Sequence, residues 1–418
     1  MSITISDVSN ALTKVIRPFI QDNFDKNTIL LDKVKRNASV TFMNDNFYAP
    51  VRSSRHGGIT NLANDGNTLI TGSAGISQAS IGVKILTGTF DISKLVIDAT
   101  KTSKGAVENQ LTFQAQTLAN DFAKDVNQQL MGDGIGALAQ VAGSVSTGTF
   151  TVINPDSNLD DGRSTDNYGV VNEDIRATKF IRPGQVIGIG TAGADLGTVT
   201  SVTTDASGTI GTVVVTGAPA IAANDTIYRV DGSGQGAGTS FITGIKAALG
   251  TSTSYAGITR SSQEDWTAQR NTTSEALTLS AMEDVYLASR EYSQMGDTYV
   301  ILANKTLYKK YGDILTSLRR TVNETELISG WTGLEFAAGA GRVGVFLDYD
   351  VPDGAVLVLN LDTWTIAQVS DMDWLDDPQS GALVRRRDAI TYQATMAWFM
   401  NLLCVAPAAN GVLFQKTD

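Results

Sequence analysis

VENQLTFQAQTLANDFAKDVNQQL, residues 107–130, sets Val107, Leu111, Ala115, Leu118, Phe122, Val126 and Leu130 at steps of four, four, three, four, four and four. Apolar side chains at that spacing share one face of a 3.6-residue period, so the stretch predicts a long amphipathic helix. Gly132, Asp133, Gly134 and Gly136 follow and predict its end, since glycine readily takes the conformations in which helices stop.

Upstream, residues 46–90 are rich in Gly, Asn, Ser and Thr and poor in large apolar side chains. This predicts a long extended hairpin outside the core, too long to be a mere connection. The first 45 residues, with the basic cluster Lys33, Lys35 and Arg36, read as an arm lying on another surface.

Downstream the composition shifts: Gly supplies 16 of the 98 residues 143–240, against 24 of the other 320. Within that module GTFTVIN, GQVIGIG, GTVTSVTT, GTVVVTG and DTIYRV alternate with Gly, Asp and Asn turns, the pattern of a small β-barrel or sandwich. Residues 156–168 read as its exposed loop. Beyond it, Ser280 and Glu283 form a capping box opening a helix as far as Gln294, with Gly296 behind it. A strand over 298–302 and a helix starting near Asn304 give a βα alternation. A hairpin around 350–354, strands through 356–359 and a β-rich stretch over 383–405 close the chain, and there is no internal repeat.

Composition excludes several classes. The 418 residues hold 42% apolar and 18% charged side chains with a formal charge of −11, a globular chain whose low charge density suits a surface covered by neighbours. An acidic chain is poorly suited to nucleic-acid binding as its main task. One cysteine, Cys404, precludes an intrachain disulfide, and one histidine, His56, leaves little for a metal cluster or an acid/base relay. The first residues carry no secretory signal. The most apolar run, 396–406, contains Asn401 and is well short of the roughly 20 residues that span a bilayer; it reads as a core strand.

No chemical motif survives its bland alternative. Residues 132–137 match the dinucleotide fingerprint formally, but a helix precedes these glycines where the fingerprint requires one after them. Asp156, Asn158 and Asp160 have the spacing of a calcium loop, yet Gly162 falls late and Asn167 stands where the last glutamate belongs. Arg385, Arg386 and Arg387 could grip phosphate, but strand alternation sends Arg386 to the opposite face, favouring a mixed solvent face or ion pairs between subunits. Asp371, Asp373, Asp376 and Asp377 before Pro378 read as a solvated turn. The expectation is a protein with no catalytic site, cofactor or metal.

The order of features resembles the major capsid protein of tailed bacteriophages, the Hong Kong 97-like fold. The likeness rests on RSSRHGGI (52–59), FDISKLVIDAT (90–100), LMGDGIGALAQV (130–141), SYAGITRSSQEDW (254–266) and VPDGAVLVLNLDTW (351–364), taken together in that order. It implies an α+β fold with an N-terminal arm (1–45), an extended loop (46–92), a spine helix of about 103–131 within 93–142, an inserted small all-β domain (143–238), and the remainder of the peripheral and axial domains (239–418). It implies hexamers and pentamers closing as an icosahedral head around packaged double-stranded DNA, without sequence-specific binding. Partners would be further copies, a portal protein, a separate scaffolding protein and a decoration protein, with no membrane; the place would be the virion, and the host cytoplasm during assembly. No long charged helical prefix marks a fused scaffold. Some relatives crosslink through a lysine in the extended loop, but nothing local marks Lys84 as reactive.

On this reading Arg52, Arg55 and His56 beside Gly57 and Gly58 are contact candidates, with Asp371, Asp373, Asp376 and Asp377 as one partner set. The glycines would let the loop bend onto that surface. Lys33, Lys35 and Arg36 are arm or interior candidates. Two rivals remain: a secreted or cell-surface β-rich adhesin, which the missing signal and long helix oppose, and a two-carboxylate glycosidase, which only 7% aromatic residues oppose.

Overall fold

The computed structural model of the chain describes residues 30, 33–36, 40–61, 71–94, 104–146, 148–153, 181–190, 193, 195–204, 211–217, 221–222, 225–232, 240–273, 275–294, 296–317, 325–327, 331–338, 341–351, 354–375, 384–386, 389–414 and 416–417. The calcium-like loop, Arg387, Asp376, Asp377 and most of the arm lie outside the described residues.

The spine helix covers Lys104–Met131. Ala115, Ala119, Phe122, Ala123, Val126 and Leu130 are buried along it. Full burial of a large apolar side chain contributes about 1.5–3 kcal/mol, so Phe122, Val126 and Leu130 hold the helix more firmly than propensity does. The helix lies on strand Lys84–Ser93, where a Cβ added at Gly88 would stand 3.0 Å from Leu118 Cδ1. It ends at Gly132, whose N–H donates to Gln129 O, and the chain turns through Gly134 and Gly136 at positive φ.

The apolar run near the C-terminus is a core strand, part of Thr391–Cys404. One edge pairs antiparallel with Lys84–Ser93 along ten residues, from Thr391 opposite Ser93 to Met400 opposite Lys84. The other edge takes Trp364–Gln368, Asp373–Trp374 and Val384–Arg385. Lys35–Arg36 adds a parallel strand beside Trp364–Gln368, completing six strands.

A second sheet has the order Gln269–Asn271, Gly411–Leu413, Val356–Asn360, Tyr299–Ala303, Gly341–Leu347, Trp331–Ala338, Thr325–Leu327. Helices Leu279–Glu291 and Lys305–Ser317 share a core with it. Two local expectations shift here. The residues around 350–354 do not form a hairpin: Tyr299–Ala303 lies between Gly341–Leu347 and Val356–Asn360, parallel to the first and antiparallel to the second. The helix after the glycine-rich module is capped by Thr278, whose hydroxyl accepts from the Ala281 N–H, so the Ser280/Glu283 pair lies inside the first turns. The later helix starts at Lys305, next to Asn304 as expected, and Asn304 Oδ1 accepts from the Leu307 N–H at 2.9 Å.

The glycine-rich stretches form a closed six-stranded barrel in the order Gly211–Thr216, Thr149–Ile153, Ala137–Ser146, Thr226–Arg229, Val186–Ile189, Asp195–Thr204. Its core is its own: Leu138, Val141, Phe150, Val152, Ile187, Ile189, Val199, Val213, Val215 and Ile227. The first barrel strand begins at Ala137, before the compositional shift at 143, because Leu138 and Ala139 fill the barrel without needing glycine.

The extended hairpin is a hairpin, but not wholly outside the core. Asn46–Arg52 pairs antiparallel with Ile76–Gly82, from Asn46 opposite Gly82 to Arg52 opposite Ile76. Phe47, Ala49, Ala79 and Ile81 are buried in the main core, and Lys84–Ser93 is a full member of the six-stranded sheet. Beyond Arg52 and Ile76 the described residues are mostly exposed. At the end of the arm, Leu30 and Val34 are also buried in that core.

Candidate assembly surface

The tip of the hairpin begins where the strand ladder ends, at Arg52 opposite Ile76. Arg52, Arg55, His56 and Gly57 are exposed, and so are Ile59 and Ile76, at 86% and 79%. Ser53 N donates to Gly75 O at 2.9 Å and Gly75 N to Ser54 Oγ at 2.8 Å, closing the stem of the tip. Arg52 Nε donates to Ser54 O at 3.1 Å, while His56 Nδ1 accepts from Gly58 N at 3.2 Å. The glycines also allow close backbone packing. A Cβ on Gly72 would stand 2.2 Å from Gly58 N and 2.4 Å from Gly57 C, so two backbones touch there. Neither Gly57 nor Gly58 has a positive φ.

The base of the hairpin is held by SYAGITRSSQEDW. Ser254–Tyr255 and Ile258–Thr259 pair around Ala256 and Gly257, both at positive φ, giving a tight two-residue turn. Arg260 is buried beneath it and donates Nε to Ser252 O, Nη1 to Trp266 O, and Nη2 to Ala247 O and Ala248 O, all at 2.7–2.9 Å. Burial lowers its pKa from the usual arginine value, and the carbonyl oxygens compensate the buried charge. Two bonds tie this knot to the hairpin: Ser80 N to Ala256 O at 2.8 Å, and Gln263 Nε2 to Arg52 O at 2.9 Å.

The neighbouring polar groups are likewise bonded. Asn401, alone in the apolar strand, donates Nδ2 to Gly82 O at 2.7 Å and accepts from Thr243 N at 2.9 Å, joining the hairpin base to the chain returning from the barrel. Asn410 Oδ1 accepts from Asn360 N and Trp364 Nε1, each at 2.8 Å, linking the two sheets. Cys404 lies in the same layer, and burial pushes its thiol pKa up to about 12. Tyr255, whose hydroxyl accepts from Cys404 N, is raised by burial as well.

The other sequence candidates are scattered. Asp371 is exposed and accepts from Gln368 Nε2 at 2.6 Å; half-buried Asp373 caps Trp374 N at 2.8 Å. Lys33 lies over the Phe346 ring at 5.0 Å, and Arg36 is exposed at the sheet edge. Arg386 pairs with Asp91 at 3.4 Å within the chain, a pair between two largely exposed side chains. Lys84 is half-buried, and burial lowers its pKa. The barrel meets the spine helix through Arg229, bonded to Asp125 and to Gln128 Oε1, and through Arg182, 3.7 Å from Asp121. A crevice of about 490 Å³ lies there, lined among others by Leu86, Phe122, Gln129, Gln185 and Phe241. Among the described residues no group of three or more His, Cys, Asp or Glu side chains could hold a metal, and no helix is long and apolar enough to cross a membrane.

Arg260, Asn360 and Asn410 were not singled out by sequence reasoning. Arg260 and Asn360 lie in the stretches that carried the resemblance, but only their burial distinguishes them from surface polar residues.

This mixed α/β fold is that of the phage capsid proteins. Against the capsid asymmetric unit of Cyanophage A-1(L) the chain is 15% identical, with 93% of this chain and 92% of that one covered and a TM-score of 0.55. Against the capsid of a native GTA particle the identity is 12%, the coverage 93% and 90%, and the TM-score 0.45. For the holo-SrpI encapsulin complex from Synechococcus elongatus PCC 7942 the values are 7%, 96% and 89%, and 0.45. The first establishes the fold alone, and the two lower-scoring likenesses add nothing to it. The sequence matches no family model and no curated protein.

Proposed function

We propose that the chain is the repeating subunit of a closed shell: the major capsid protein of a tailed bacteriophage, assembling as hexamers and pentamers into an icosahedral head around packaged double-stranded DNA. The likeness in fold to the Cyanophage A-1(L) capsid chain over 93% of this chain is the observation that supports it most. The work of such a subunit is recognition, without catalysis or cofactor. Ile59 and Ile76 at the hairpin tip expose apolar area that a neighbouring copy would remove from water. Arg52 and Arg55 would pair there with a neighbour's carboxylates, the run from Asp371 to Asp377 being one candidate.

On this reading residues 1–45 act as the arm and 46–92 as the extended loop. Residues 93–142 supply the spine helix and the start of the peripheral domain, and 239–418 the rest of the peripheral and axial domains. The barrel is an insertion on the outer face. Lys33, Lys35 and Arg36 are the arm's basic group. A net charge of −11 suits a shell that holds DNA without gripping it. Portal, scaffolding and decoration proteins would be the other partners, with assembly in the host cytoplasm. Negative-stain microscopy of the full-length protein, alone and with a scaffold supplied, tests the reading. Closed shells or capsomer rings are expected; a monodisperse monomer at high concentration in native salt would overturn it, and fibres would favour the adhesin reading.

A further inference from the structure

Near its C-terminus the chain runs twice beside an earlier segment. Gly411–Leu413 lies parallel to Gln269–Asn271, and Lys416–Thr417 parallel to Glu275–Ala276, with Lys416 opposite Glu275. Between these two ladders the Lys416 side chain is 0% exposed and that of Glu275 42%. Lys416 Nζ donates to Glu275 Oε1 at 2.8 Å, to Thr273 O at 2.8 Å and to Asn271 Oδ1 at 3.2 Å. The same Asn271 oxygen accepts the backbone N–H of Thr273 at 3.1 Å.

An amine, a carboxylate and a polarised amide carbonyl therefore meet at one point. A satisfied buried ammonium needs only acceptors. Here one acceptor is also an electrophile, and its oxygen is already held by a second donor, as an oxyanion would be. The amine and the amide are brought together by the fold, which removes most of the entropic cost of joining them.

We propose that Lys416 and Asn271 form an intrachain isopeptide bond, with Glu275 carrying the proton. Glu275 takes a proton from the Lys416 ammonium, and the freed lone pair of Nζ forms a bond to Asn271 Cγ. The carbonyl electron pair moves onto Oδ1, where the Thr273 N–H stabilises it. As the carbonyl re-forms, the Cγ–Nδ2 bond breaks and its electron pair leaves with Nδ2, which takes up the proton held by Glu275 and the proton shed by Nζ. In sum, one ammonium side chain and one carboxamide become one secondary amide and one ammonium ion, with no oxidant or co-reactant. The half-exposed flank at Glu275 gives the ammonium ion a way out. The product fastens the C-terminal segment to the edge strand of the seven-stranded sheet.

The test is intact-mass spectrometry of the purified, folded full-length protein, followed by tryptic mapping. The expected wild-type result is the loss of one ammonia, about 17 Da. The peptide beginning at Asn271 should be joined to the C-terminal peptide that contains Lys416 and runs on to Asp418, without cleavage after Lys416. Lys416→Arg and Glu275→Gln should both retain the full sequence mass, and Glu275→Gln, altered at a half-exposed side chain, guards against a folding failure of the first. A folded wild-type protein at its full sequence mass would overturn the proposal. So would a 17 Da loss confined to the peptide beginning at Asn271, which is what a cyclic imide at the asparagine gives.

Discussion

The barrel and the extended hairpin draw on the same small residues, Gly, Ser, Thr, Ala and Val, and end up opposite in character. In the barrel strand Gly211–Thr216, Val213 and Val215 point into a closed core while Thr216 faces out. In the hairpin strand Ile76–Gly82 the alternation persists, with Ala79 and Ile81 buried on one face, but the other face carries Ile76, which is 79% exposed. Closure satisfies every strand edge of the barrel within one chain. The hairpin strands pair with each other, but among the described residues only their base joins the main core. The lesson is that composition marks both regions as unusual, while the face on which the apolar side chains fall tells which region encloses a core of its own.

The largest effect should come from removing the hairpin's anchor. Arg260→Met strips hydrogen bonds from four carbonyl oxygens, of which those of Trp266 and Ala248 are buried, and should cost about 3–5 kcal/mol, read by urea unfolding with Trp266 as the near reporter; the barrel's protection from hydrogen exchange should not change. The reciprocal variant is Ile187→Ala, which opens a cavity in the barrel core and should cost about 2–4 kcal/mol. Hydrogen exchange should then rise across the barrel strands and stay constant in the hairpin base. Equal loss of protection in both regions would merge the two units.

Alkaline pH should separate them as well. The Cys404 thiol, ordinarily near 9, is pushed up to about 12 by burial, and Tyr255 beside it is also raised. Above pH 9 the unfolded chain sheds the thiol proton while the folded chain keeps it. The stabilisation is therefore complete below about pH 9 and is lost as the pH climbs toward 12. Melting of the body followed by tryptophan fluorescence should fall over that window; a pH-independent melting temperature would contradict it. The smallest effect is expected at the junction between barrel and helix. Arg229→Met removes a partly exposed pair with Asp125 and should cost only about 1 kcal/mol, seen as faster exchange near residues 125–129 with the barrel core still protected.

Much of the fold was legible. The apolar stripe from Ala115 to Leu130 is the helix, the run around Met396–Cys404 is the core strand, and the Val/Ile alternation between glycines is the barrel, because each signal is local and periodic. What failed was not local. Whether Gly341–Leu347 and Val356–Asn360 pair with each other or with a strand between them depends on Tyr299–Ala303, some forty residues away in sequence. The depth of Phe47 and Ala79 depends on Trp266 and Arg260, two hundred residues on. Gly57 and Gly58 read as a bend because their close neighbour, Gly72, is distant in sequence. Candidate contact residues could be named from charge and glycine content, but Arg260, Asn401 and Asn410 could not, since a buried polar residue and an exposed one look alike until the fold brings its partners to it.

The central claim is that folding ends at the base of the hairpin and assembly begins at its tip. The direct measurement is a paired one on the Arg52→Glu, Arg55→Glu double variant: thermal melting of the subunit or capsomer, and the yield of closed particles by sedimentation. Both side chains are exposed and tied to no carboxylate among the described residues, while like charges at an interface can cost several kcal/mol. The expected result is an unchanged melting temperature with particle formation abolished. A normal yield of closed particles would contradict the claim outright, and loss of melting and assembly together would place the tip within the fold.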